Sequence, residues 1–142
     1  MRLSKLQIAK SQLDMAIALY LKGDDLVSTI TLAGAAEEIL GKLAEHSGAR
    51  TAFDETLDRL CDMYEAAFRE KPNRKAFADL RNRARNEFKH IGLQPDVDVD
   101  LEREAVNMLR RAIENYRKYD SGFREIFWKF EQELLKRART SQ

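Results

Sequence analysis

Residues 74–91 read Arg-Lys-Ala-Phe-Ala-Asp-Leu-Arg-Asn-Arg-Ala-Arg-Asn-Glu-Phe-Lys-His-Ile. Phe77, Leu80, Ala84, Phe88 and Ile91 recur three or four positions apart, with charged residues between them. That is the period of one face of an α-helix, not the alternation of a half-buried strand. Asn73 offers an N-cap, Gly92 a C-terminal stop, and Pro95 follows shortly after. One amphipathic helix is expected from Arg74 to about Ile91.

The same period extends in both directions. A first helix carries Leu3, Leu6, Leu13, Ile17 and Tyr20 and ends at Lys22-Gly23. A second runs roughly from Asp25 to Glu45, with Leu26, Ile30, Ala33, Ala36, Leu40 and Leu43 on its apolar side. Its centre, Ala33-Gly34-Ala35-Ala36, has little side-chain bulk and suits close helix packing. A third begins at Thr51 or Asp54, presents Phe53, Leu57, Leu60, Cys61, Tyr64 and Phe68, and breaks at Lys71-Pro72-Asn73. After a loop over 94–100, Asp100 caps a fifth helix with the seam Leu101, Ala105, Leu109, Ala112 and Tyr116. Asp120-Ser121-Gly122 precedes a last helix with Phe123, Phe127, Phe130 and Leu134. The expectation is a single all-α domain over 1–142, an up-and-down bundle of five to six helices.

Composition narrows the partners. Of 142 residues, 25 are Lys or Arg and 24 are Asp or Glu, so the formal net charge is only +1. Attraction to a polyanion must come from local segregation of charge. Residues 71–90 supply it: Lys71, Arg74, Lys75, Arg81, Arg83, Arg85 and Lys89 stand against Asp79 and Glu87, a local charge of +5. RNA is the natural counterpart, because phosphate neutralisation supplies most nucleic-acid affinity. The alternative is a solvated helix face. Cys61 is the only cysteine, so no internal disulfide forms. Residues 1–10 show no secretory pattern, and no apolar run is long enough to span a membrane. A cytoplasmic protein without membrane association is expected. Asp96, Asp98 and Asp100 imitate the start of a calcium loop but lack its glycine, so capping and solvation are expected there and no metal.

At 100° per residue, with Phe77 at zero, Arg83 falls at about 240°, His90 at about 220° and Asn86 at about 180°. These three share a flank away from the apolar side. Arg81 and Arg85 lie on the other flank, Arg85 at about 80°. A histidine near a helix C-terminus either caps the last carbonyls or exchanges protons near neutral pH. On the second helix Glu37 falls inside the apolar arc, where a carboxylate needs a partner. It is expected to pair with an arginine of the fourth helix; the alternative is escape to solvent past its small neighbours.

Arg85-Asn86-Glu87-Phe88-Lys89-His90 fits Arg-Asn-x-x-x-His. It resembles the R-x(4–6)-H signature of the HEPN superfamily, the higher eukaryotes and prokaryotes nucleotide-binding domains. The resemblance implies an all-α bundle and, for many members, a toxin or defence ribonuclease that works as a homodimer without a metal or other cofactor. It implies Arg85, Asn86 and His90 as catalytic residues on single-stranded RNA, flanked by Arg81, Arg83 and Lys89 as substrate-binding cations. Glu37 would support the arginine from behind. A cognate antitoxin protein is a further implied partner. Arg83, with six residues between it and His90, also satisfies the spacing, so the motif arginine stays open between Arg83 and Arg85. Two other readings remain: a non-catalytic module that binds RNA, a nucleotide or a protein, and a structural dimerisation bundle.

Overall fold

The computed structural model describes residues 1–89 and 95–141. Expectations for His90, Ile91, Gly92 and Gln94 lie outside the described residues. The helices are α1 (Lys5–Lys22), α2 (Leu26–His46), α3 (Ala52–Phe68), α4 (Arg74–Lys89), α5 (Leu101–Tyr119) and α6 (Glu125–Thr140). Among the described residues there is no strand, and no helix is long and apolar enough to cross a membrane. The apolar period does build an all-α bundle.

Helix boundaries follow local chemistry. Ser4 and Gln7 form a reciprocal capping box at α1, and Gly23 ends that helix in the left-handed conformation at φ 72°. Asp25 caps α2, Thr51 caps α3 and Asp100 caps α5. The Asn73 side chain accepts from the Ala76 N–H at the start of α4. Each of these oxygens satisfies an N–H that has no partner inside its own helix. Two boundaries differ from the sequence reading. Leu3 precedes α1, and Phe123 precedes α6; both side chains are exposed, Phe123 by 81%.

α1, α2, α5 and α6 share one core, into which Leu13, Ile17, Ile30, Leu40, Leu109 and Phe130 are fully buried. Edge-to-face pairs tie α6 to its neighbours: Tyr20 to Phe130 at 5.3 Å between centroids, and Tyr116 to Phe127 at 5.2 Å. α2 packs most extensively on α5 and α1. Along α2 and α5, Gly34 lies beside Met108, Glu37 beside Arg111 and Gly41 beside Asn115. Residue numbers rise together, so these two helices run parallel. The α3–α4 hairpin is then the long crossover between them, a connection known in bundles with non-sequential neighbours.

That hairpin sits at the side of the core. Only Ala52 and Leu57 of α3 and Ala84 of α4 are buried. The Tyr64 ring packs at a tilt on Phe68 and edge-to-face on Phe77, and Arg74 bonds Asp54 and Asp58 across the hairpin. Phe68 and Leu80, both expected in apolar faces, are 64% and 66% exposed. The reason is rotational. α4 turns its Arg81 and Arg85 flank toward the bundle, and Leu80 is carried out to solvent.

Candidate functional site

The rotation of α4 is explained by one carboxylate. Glu37 is 5% exposed and stands at the centre of α2. Its Oε2 accepts from Arg85 Nη1 at 3.0 Å, and its Oε1 accepts from Arg111 Nη2 at 2.9 Å. The expected pairing of Glu37 with an arginine of the fourth helix is present, and a second arginine from α5 completes it. Arg111 also donates through Nη1 to Asn82 Oδ1 at 2.9 Å, and its guanidinium lies 4.1 Å from the centre of the Phe53 ring. Asn115, one turn on from Arg111, donates to the Glu37 backbone carbonyl and accepts from the Ala52 N–H. Four helices therefore meet at one fully engaged carboxylate.

Gly34 supplies the space. A Cβ at this position would lie 2.9 Å from Cδ and 3.1 Å from Cγ of Arg85. The thin centre of α2 thus admits the stem of an arginine, not only a neighbouring helix. Burial pushes the Arg111 guanidinium below its ordinary pKa, with a smaller push from the nearby Arg85 and Arg81 charges, and the Glu37 charge opposes that loss. Glu38, one position on, faces outward. Partial burial pushes its carboxyl upward, but Arg85, Lys89 and Lys42 together outweigh this and hold it below its ordinary value. Arg85 Nη2 reaches Glu38 at 3.5 Å and Lys89 Nζ reaches it at 3.6 Å.

The motif residues are consequently divided. Arg85 points inward against Glu37 and Glu38. Arg81, on the same flank, is half-buried, and its Nε has no hydrogen-bond partner among the described residues. Arg83 and Asn86 are exposed on the outer flank, one turn apart. Lys89 is exposed at its residue surface but tied to Glu38. His90 lies outside the described residues. Arg83 lines a cleft of 280 Å³ with Leu80, Asp98, Asp100 and Arg103. Glu37, Arg85, Arg111, Asn82 and Thr51 line another, of 270 Å³. Both oxygens of Glu37 are engaged by guanidinium groups, so neither is free to approach a substrate.

Arg111, Asn82 and Asn115 were not singled out from the sequence. A signal existed for two of them: Arg111 and Asn115 are four apart on α5 and flank its apolar seam. Among the described residues no group of three or more His, Cys, Asp or Glu side chains is placed to hold a metal ion. The Asp96–Asp100 segment contributes Asp100 as the α5 cap. Comparison with protein-family models, curated proteins and solved structures found no match to this chain.

Proposed function

We propose that the chain is a metal-independent endoribonuclease of HEPN type whose working surface is the outer flank of α4. One observation carries the reading. The Glu37–Arg85–Arg111 cluster fixes the rotation of α4, and that rotation leaves Arg83 and Asn86 exposed together on the flank that sequence spacing assigns to His90. Arg83 is then the phosphate-contacting arginine. Arg85, already neutralised by two carboxylates, positions the helix.

In this mechanism His90 takes the proton from a ribose 2′-OH. The 2′ oxygen forms a bond to the adjacent phosphorus, and the bond from phosphorus to the 5′ oxygen breaks. The departing oxygen takes a proton from the His90 imidazolium or from water, giving a 2′,3′-cyclic phosphate and a 5′-OH. Arg83 stabilises the charge on the pentacoordinate phosphorus, and Asn86 orients the phosphate. The RNA must be unpaired for the in-line approach. A cytoplasmic toxin or defence role, a homodimeric state and a cognate antitoxin accompany this reading.

A second reading, a binding module without turnover, is favoured by the charge pairing around α4. Four of the seven cations between Lys71 and Lys89 have carboxylate partners: Arg74, Lys75, Arg85 and Lys89. Incubating single-stranded RNA with the protein in excess EDTA separates the two. Cleavage with cyclic phosphate ends, lost in His90→Ala and in Arg83→Ala, supports the ribonuclease. Salt-sensitive binding with intact RNA supports the module. Cleavage that survives His90→Ala removes the proposed proton-transfer role.

A further inference from the structure

The rotation of α4 carries Leu80 to the surface, but not onto a flat one. Leu80 is 66% exposed and lines the 280 Å³ cleft between α4 and residues 97–104. Val97, 37% exposed, extends the apolar lining from the loop before α5. Arg83 stands at the α4 edge of the same cleft, three positions on from Leu80.

The polar groups of the cleft divide into committed and uncommitted ones. Asp100 Oδ1 accepts from the Arg103 backbone N–H at 3.0 Å as the α5 cap. Arg103 Nε faces Glu104 Oε1 at 3.7 Å. Arg83 and Asp98 are exposed, and neither has a hydrogen-bond or ion partner among the described residues. The cleft therefore offers an apolar wall, a carboxylate with both oxygens uncommitted and, at one edge, an uncommitted guanidinium. Its volume lies just below the range of about 300–1,000 Å³ that drug-sized ligands fill, which suits a single nucleobase.

Such a set discriminates among bases. An ionised carboxylate only accepts hydrogen bonds. Guanine presents two adjacent donors, N1–H and N2–H, on its Watson–Crick edge. Adenine and cytosine set their amino donor beside a ring acceptor, and uracil sets its N–H between two carbonyls. Unpaired bases are read on this edge while their faces pack on protein side chains. We infer that the cleft holds an unpaired guanine next to the phosphate that Arg83 contacts, with Asp98 accepting from N1–H and N2–H. Leu80 and Val97 cover the ring, which also takes their exposed surface out of water. The inference rests on the outer flank of α4 as the RNA surface and adds base selectivity to it: cuts fall beside guanine. Asp98 determines specificity and takes no part in proton transfer.

Fluorescence anisotropy of labelled single-stranded oligoribonucleotides that differ at one central base, titrated with the full chain at fixed salt, tests the assignment. The guanine oligonucleotide is expected to bind at least about tenfold more tightly than the adenine one. Inosine, which lacks the 2-amino group, falls between them. Asp98→Asn replaces one acceptor by a donor, which suits N1 and N6 of adenine, and brings the guanine-to-adenine ratio to about one or below. Arg83→Ala weakens all three oligonucleotides alike. Asp98 is exposed in a loop, and far-ultraviolet circular dichroism establishes that its variant is folded. Sequencing of fragment ends from a parallel cleavage reaction gives the base beside each cut. Guanine-selective binding without cleavage upholds the cleft and removes the ribonuclease reading. A wild-type ratio near one, a ratio that Asp98→Asn leaves unchanged, or cleavage without guanine beside the cut overturns the cleft and leaves the ribonuclease reading standing. RNA that is neither bound nor cut overturns both.

Discussion

Glu37→Gln is the most informative single substitution. It keeps side-chain volume and one acceptor oxygen, but removes the charge that two guanidinium groups share. One face of the new amide presents N–H donors to an arginine that is itself only a donor. Arg111 bears most of the effect, since its side chain is 7% exposed and Glu37 is its only ion partner among the described residues. Arg85 retains Glu38 at 3.5 Å. Removing one member of a buried pair costs about 3–5 kcal/mol, and the remaining partner of Arg85 places this case near the lower end, at about 3 kcal/mol. Against a domain stability of roughly 5–15 kcal/mol that is a large fraction. In urea denaturation followed by circular dichroism at pH 7, a slope near 2 kcal/mol/M converts it to a midpoint lower by about 1.5 M. The pairwise nature of the cost is tested by Glu37→Met combined with Arg111→Met. The double variant leaves no orphaned charge on α5 and is expected to be less destabilised than the sum of the singles by at least about 1 kcal/mol. A Glu37→Gln loss below about 1 kcal/mol, or strict additivity in the double variant, would refute the argument that this carboxylate holds the hairpin.

Gly34→Ala gains about 1 kcal/mol of helix propensity but drives a Cβ to 2.9 Å from Arg85 Cδ, in a side chain whose head is bound to Glu37. Overpacking of about 1–3 kcal/mol is expected to win, so urea titration should show net destabilisation; a stabilised variant would mean that Arg85 moves freely. The hairpin should also loosen in acid. Asp58 is held below its ordinary carboxyl value of 3.8 by hydrogen bonds from Arg50 and Arg74, and Glu38 below 4.5 by three cations that outweigh its desolvation. Carboxyls depressed by folding contribute stability that is complete above the unfolded values and is lost as pH falls through the folded ones. Amide protection in α3 and α4, corrected for intrinsic exchange, should therefore fall relative to α1 below about pH 4.5. Equal retention of protection in all three helices at pH 3 would contradict this.

The sequence by itself determined the helices and one unmet requirement. Periodicity located six helical segments, and Asp25, Asn73 and Asp100 marked starts because a cap needs only atoms within three residues of it. Glu37 inside an apolar arc demanded a cation. Its partner's helix was legible; Arg111 and Asn115 left only a four-residue spacing beside the α5 seam, and Asn82 left no signal. The outward turn of Leu80 was hidden for the same reason. The apolar stripe of α4 runs through Phe77, Leu80 and Phe88, and hydrophobic pattern alone turns that stripe inward. Only the tertiary structure supplies the opposing demand, a buried carboxylate 48 positions earlier in the chain. Leaving that charge unpaired would cost more than exposing one leucine, whose burial is worth about 1.5–3 kcal/mol. Hydrogen bonding along the backbone is local and can be read from neighbours; the rotation of a helix is set by charges that only folding brings together.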